Sequence, residues 1–351
     1  MKSSRLRLAL FALFPALFLF AGSELGLRLF HFRFQRSLGY MQFAFPSPTE
    51  LHQVFLLDPL LLWRMKPGYD FGQGYPKLNA QGYRGPDHNL PKKSDGFRIA
   101  CLGDSVTFGL PTIDYPSALQ DRLSRRWPGK KTLALNFGVP GYSSLQGLRL
   151  LTSQALEVKP DAVIIFFGWN DHWLVQGFAD HEQRVRQNPR LIKFRDSLGR
   201  LRTYQALNWA MTLLPRTGKK KLRVADELYR ENLLAMIRAS RDRGVAVVLC
   251  TAPAGFGLGP LPDFFTALDF IGNNAELPPL HRRYNEIVRQ VGRRENVPVA
   301  DLEKIFEERG AKNFFDHPDK DIIHPNAEGQ ELIAETLTET IVESSGSFGG
   351  K

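Results

Sequence analysis

From Arg98 onward the chain alternates between two hydrophobic rhythms. Short apolar runs recur at Ile99–Leu102, Leu133–Phe137, Ala162–Phe167, Val245–Cys250 and Val297–Ala300. Runs this uniformly apolar mark strands buried on both faces, not the alternating strands of a half-solvated sheet. Between them, apolar residues fall three and four apart: Leu119, Leu123 and Trp127, then Leu145, Leu148, Leu151 and Ala155. The same spacing returns at Tyr229, Leu233 and Ile237, at Tyr284, Ile287, Val288 and Val291, and at Ile333, Leu337 and Ile341. That period predicts helices, and Gly244 stands where the third of them needs a stop. Strands separated by helices predict an α/β fold, a five-stranded parallel sheet covered on both faces.

The flanking segments break this rhythm. Lys2, Arg5 and Arg7 precede an uncharged run from Leu8 to Ala21 in which nine residues are Leu or Phe. Together these nine favour membrane insertion by about 3 to 5 kcal/mol. Extension to Leu27 gives about 20 residues, long enough to span, with Glu24 near the interface. Residues 1–36 are therefore expected to be a retained transmembrane anchor, a signal cleaved after Ser23, or else a buried helix of a cytosolic protein. The first two place the rest of the chain on the extracytoplasmic, periplasmic side. Residues 37–97, rich in Gly, Pro and aromatics, predict short strands and turns packed on the core, with a turn at Lys92–Gly96 feeding the first core strand. Residues 172–224 read as a basic, aromatic insertion in the 98–343 domain. Within it, 198–214 is either an amphipathic helix on a membrane or a helix packed on the domain. The apolar stretch 253–279 is either a lid or ordinary packing under a long loop. Residues 344–351 are expected to be a disordered tail.

Net charge is +10. The basic residues are dispersed and accompany no nucleic-acid module, so a basic surface beside an anionic membrane is the better reading. The two cysteines, Cys101 and Cys250, lie in strand-like runs and are expected to be buried free thiols, without metal-type spacing. No cofactor is expected, and oligomeric state is left open.

Four segments carry candidate chemistry: Gly103-Asp104-Ser105, Asn136-Phe-Gly138-Val-Pro-Gly141, Gly168-Trp-Asn170-Asp171 and Asp321-Ile-Ile-His324. In a parallel sheet all four fall in loops on one edge, where open α/β folds place their sites. A serine hydroxyl becomes a nucleophile only when a base takes its proton. His324 can do so, and Asp321, three residues earlier, can orient the imidazole. The N–H groups of Ser105 and Gly141 and the amide of Asn170 can face an oxyanion. Gly138, three residues before Gly141, competes for that place. Asp104 and Asp171 suit turn-holding better than reaction, Asp316, His317 and Asp319 are spaced less well, and a metal site at His317, Asp321 and His324 lacks a further ligand.

This set resembles the SGNH (GDSL-type) serine hydrolase family over roughly residues 98–343, with Val106 where the name expects leucine. The resemblance implies a flavodoxin-like α/β/α sandwich. It implies Ser105, Asp321 and His324 as the catalytic triad and Ser105, Gly141 and Asn170 as the oxyanion hole. The expected activity is hydrolysis of an acyl or acetyl ester of a small molecule, lipid or glycan through an acyl-serine. The alternatives are an acyltransferase acting on envelope polysaccharide with the same residues, and a non-catalytic envelope scaffold or glycan-binding protein.

Overall fold

The computed structural model describes residues 2–34, 54–72, 74–88, 92, 96–183, 194, 197–213, 220–267 and 269–344. In chain order the main elements are α1 (Lys2–Leu29), β1 (Phe55–Asp58), β2 (Leu62–Met65), β3 (Gly96–Gly103), α2 (Ser105–Phe108), α3 (Tyr115–Arg126), β4 (Lys131–Gly138), α4 (Ser144–Leu150), β5 (Ala162–Phe166) and β6 (Leu174–Gln176). They continue as α5 (Arg202–Thr212), β7 (Lys220–Leu222), α6 (Asp226–Arg241), β8 (Ala246–Cys250), α7 (Leu277–Glu295), β9 (Val299–Ala300), α8 (Leu302–Glu308) and α9 (Ala327–Glu343). The chain forms two compact units: Met1–Gln53 with Arg186–Thr217, and Val54–Val185 with Gly218–Lys351.

The second unit is built on a five-stranded sheet in the order β4-β3-β5-β8-β9, every pairing parallel. The five apolar runs are these five strands. Numbered by chain position the order is 2-1-3-4-5, the flavodoxin-like arrangement, whose switch point lies between β3 and β5. Successive side chains leave opposite faces of a strand. Thus Ile99, Cys101, Ile164, Val248 and Cys250 share one cluster with Leu119, Leu123, Ile333, Leu337 and Ile341 of α3 and α9. Ala100, Leu102, Val163, Ile165, Val247 and Leu249 alternate with them towards the other layer, where α6 packs against both α4 and α7. Both cysteines are buried and unpaired. Edge strand β9 is shorter than its apolar run because Pro298 has no N–H to give; its carbonyl still accepts from Leu249 N at 3.0 Å.

The segment before β3 contributes the β1–β2 hairpin, whose Trp63 is fully buried. Its carbonyl accepts from the Tyr142 hydroxyl at 2.5 Å. Arg84, from the turns that follow, pairs with Asp114 at 2.8 Å and donates to Phe108 O at 3.2 Å, tying this segment to the loop after α2. In the 253–279 stretch Phe265 and Phe270 are buried, and Phe256, Leu258, Leu261 and Phe264 pack against the α3–α9 cluster. Residues 37–53, 93–95 and 345–351, which include expected turns and the tail, lie outside the described residues.

The first unit pairs α1 with α5. Glu24 accepts from Thr203 N at 2.8 Å, from Thr203 Oγ1 at 3.1 Å and from Arg28 Nε at 2.8 Å. Phe32 meets Trp209 edge-on at 6.1 Å. Among the described residues no helix is long and apolar enough to cross a membrane, so the expected N-terminal transmembrane anchor gains no support there.

Candidate active site

Strand β3 runs buried to Gly103, where a Cβ would lie 1.9 Å from Thr107 Oγ1 and 2.8 Å from Phe166 O; only glycine fits. Asp104 then caps α2, its Oδ1 accepting from Val106 N at 2.9 Å. The cap sets Ser105 at the first helical position, where the backbone N–H has no intrahelical acceptor. Ser105 therefore sits at the carboxyl end of β3, beside the end of β5 and at the switch point of the sheet.

Asp321 organises its own loop. Its Oδ1 accepts from Ile323 N at 2.9 Å and from His324 N at 3.0 Å, a local turn that brings both side chains to one side. Its Oδ2 lies 2.7 Å from His324 Nδ1, and His324 Nε2 lies 2.7 Å from Ser105 Oγ. The carboxylate accepts only, so Nδ1 carries the hydrogen and Nε2 presents a lone pair to the serine. Burial acts to lower the His324 pKa, but the Asp321 carboxylate outweighs it and Asp104 adds to the rise, leaving the imidazole above its ordinary value. Burial acts to raise Asp321, yet His324 and the two N–H donors hold its carboxyl below the usual range. The two side chains keep 37% and 44% of their surface exposed, so water reaches the pair.

Gly138 and Gly141 differ in what their N–H groups do. Gly138 N donates to Asn136 Oδ1 at 2.8 Å, and a Cβ there would meet Phe108 N at 2.3 Å; this glycine serves packing. Val139-Pro140-Gly141-Tyr142 closes a turn through Tyr142 N to Val139 O at 3.1 Å, with Gly141 at φ 79°. Proline then positive-φ glycine is the type II signature. The Gly141 N–H has no hydrogen-bond partner among the described residues. Asn170 is buried after β5, and its Nδ2 donates to Asp104 Oδ2 at 2.9 Å, which fixes the amide and leaves its second hydrogen unspent. Burial pushes the Asp104 carboxyl up to about 6 against the donors Val106 N and Asn170 and the charge of His324. Asp171 Oδ1 accepts from Ser144 N at 2.9 Å, at the start of α4.

Sequence reasoning missed Arg223 and Asp180. They form a fully buried ion pair, with Nε to Oδ1 at 3.1 Å and Nη2 to Oδ2 at 2.9 Å. Arg223 Nη1 also donates to Gly141 O at 2.9 Å and Nη2 to Gln146 Oε1 at 3.0 Å, while Ser143 Oγ donates to Asp180 Oδ2 at 2.7 Å. The glycine with the free N–H is thus clamped by its own carbonyl. The buried imidazoles His172 and His281 bond each other at 3.1 Å, and burial pulls both pKa values down. They are neutral packing groups. Among the described residues no group of three or more His, Cys, Asp or Glu is placed to hold a metal ion.

The parallel, flavodoxin-like sheet carries the Ser105, His324 and Asp321 side chains together at its carboxyl edge. The chain belongs to the GDSL-like lipase/acylhydrolase family, which it matches over residues 101–332. The resemblance carried by the four segments is thus membership. The chain is 26% identical over 266 residues to an acetylxylan esterase of Xylanibacter ruminicola, a match covering 71% of this chain and 44% of that protein. It therefore spans less than half of that relative's length. A lipase/acylhydrolase from Enterococcus faecalis is similar at 21% identity and a TM-score of 0.44, covering 70% of this chain and 95% of that one. An acetylxylan esterase from Geobacillus stearothermophilus is similar at 16% identity and a TM-score of 0.44, covering 70% and 94%.

Proposed function

We propose that the chain hydrolyses acetyl or other short acyl esters of a carbohydrate through an acyl-serine intermediate. The observation that carries this reading is the continuous chain Asp321–His324–Ser105, two hydrogen bonds of 2.7 Å each. Ser105 Oγ attacks the ester carbonyl as its proton passes to His324 Nε2. The carbonyl oxygen becomes an oxyanion facing Ser105 N–H, Gly141 N–H and the free hydrogen of Asn170. His324 then protonates the departing alcohol, leaving the acyl group on Ser105. Water, deprotonated by the same nitrogen, attacks that acyl-serine; collapse releases the carboxylic acid and restores the hydroxyl. The half-exposed histidine and aspartate favour water over a sugar hydroxyl as acceptor, so hydrolysis is preferred to acyl transfer. The carbohydrate ester is suggested by the acetylxylan esterase among the relatives.

The test is labelling of the full chain by a fluorophosphonate, in parallel with Ser105→Ala and His324→Ala, followed by assay of acetate release from acetylated xylan. Labelling lost in both variants supports the mechanism; labelling that survives Ser105→Ala removes it. Asn170→Ala should lower kcat by about 10²- to 10³-fold with KM little changed, since its hydrogen serves the transition state. A change confined to KM would take Asn170 out of the hole.

The pH dependence follows from His324, which must be neutral to act as base. Its raised pKa means that kcat/KM climbs with pH through a midpoint above the ordinary value of 6.5. Asp321→Asn removes the charge that raises it and should move the midpoint to lower pH while lowering the plateau. An unmoved midpoint in initial-rate profiles would separate Asp321 from the base.

The site is proposed to work on the extracytoplasmic side, held there by the leading helix. The support is the order of Lys2, Arg5 and Arg7 before the Leu/Phe run, together with exposed Phe14, Leu17, Phe18 and Leu19 on α1. Full-length protein should then partition with membranes and keep its N-terminus. A soluble chain beginning after Ser23 would instead mark a cleaved signal.

A further inference from the structure

The pairing of α1 with α5 leaves apolar surface on both helices. Leu207, Trp209, Met211 and Leu213 are 60%, 45%, 49% and 66% exposed. On the partner helix and just beyond it, Leu25, Leu29 and Phe30 are 60%, 69% and 87% exposed. An exposed apolar patch of this kind marks an interaction surface. A helix solvated on that side would carry charges, yet from Thr203 to Leu213 there is none. The one acid in the pair, Glu24, is occupied by Arg28 and Thr203, so it presents little free negative charge. Beyond the neutral Glu24–Arg28 pair, two further cations, Arg33 and Arg200, are exposed.

We infer that α5 is a second membrane contact, lying in the interface of an anionic phospholipid bilayer beside α1. Leu207 and Met211, one turn apart on the same face, enter the acyl boundary, Trp209 and Leu213, one turn apart on the flank, sit at headgroup level, and Arg33 and Arg200 meet the phosphates. The chemistry is that of an interfacial segment: an uncharged, apolar exposed surface, an amphipathic aromatic and flanking arginines. Charge complementarity selects the occupant, because a cationic rim around an uncharged apolar strip matches anionic headgroups over acyl chains. This inference rests on the proposed membrane attachment of α1 and extends it to the insertion. The hydrogen-bonded contact from Thr203 to Glu24 gives a reason for an insertion so far along the chain to return to the first helix.

The test uses the full chain in vesicles of phosphatidylcholine and phosphatidylglycerol with brominated acyl chains, comparing it with Trp209→Phe. Trp63, Trp169 and Trp173 are buried in the catalytic unit and Trp127 is half-buried there against Phe97, so the quenching lost in Trp209→Phe reports Trp209. The expected result is tryptophan quenching that is mostly lost in Trp209→Phe and weakens when phosphatidylglycerol is replaced by phosphatidylcholine. Equal quenching in the two proteins overturns the inference. Flotation separates the two levels: a chain that floats with the vesicles without Trp209-specific quenching keeps its anchor but loses this contact. A chain that does not float loses both. Retained fluorophosphonate labelling shows that the variant is folded, since Trp209 lies outside the catalytic machinery.

Discussion

Ser105→Ala should remove ester turnover, lowering kcat by at least about 10⁴-fold, because a nucleophile and its base act as a unit. Its effect on stability should be about 1 kcal/mol or less, the worth of one hydrogen bond. Among the described residues the Ser105 side chain makes a single such bond, to His324, and the residue is only partly buried. Alanine therefore opens no core cavity and suits the first helical turn. The nearby hydroxyls are poor substitutes. Ser143 is buried against Asp180, Ser144 is bonded to Asn232, and Thr107 is bonded to Tyr115. None of these bonds offers an imidazole. Parallel measurements of acetate release and thermal unfolding decide the matter. Residual turnover within tenfold of the parent would place the nucleophile elsewhere, and unfolding would show that the hydroxyl holds the strand end together.

The sheet could be read from sequence because its strands are buried on both faces. Ile99 and Cys101 face one layer and Ala100 and Leu102 the other, so the whole run must be apolar. The β1–β2 and β6–β7 ladders are only three or four residues long, too short for a period of two to stand out. Among the site residues, Asp321 and His324 form a local motif, and a turn built by Asp321 Oδ1 makes their spacing sufficient. Gly141 could not be separated from Gly138 in the sequence, since the distinction lies in whose N–H is already spent. Arg223 was beyond reach for another reason. It acts on a carbonyl 82 residues away, and nothing in its neighbourhood distinguishes it from a surface arginine. Asp104 shows an intermediate case. A turn-holding role was legible, but its second oxygen fixes Asn170, which only the folded chain reveals.

Arg223→Met should destabilise the fold by about 3 to 5 kcal/mol, because it strands Asp180, which is fully buried, without its cation. The same change frees the Gly141 carbonyl, and with it the direction of the N–H proposed to face the oxyanion. Stability and positioning can be separated. Replacing both partners of a buried pair by uncharged groups is often close to neutral, so Arg223→Met with Asp180→Asn should recover most of the lost Tm. It should not recover kcat. Gly141 still lacks its clamp, and the deficit should lie between about 10-fold and the roughly 10²-fold of a lost donor, with KM little altered. Arg223→Lys should fall between parent and double variant, since an ammonium can still donate to Gly141 O but cannot bridge Asp180 and Gln146 as the planar guanidinium does. If the double variant regains both Tm and kcat, the ion pair only holds the fold. If it regains Tm alone, a residue inside the insertion sets the geometry of the reaction centre, and the insertion is then part of the enzyme's working structure as well as its surface.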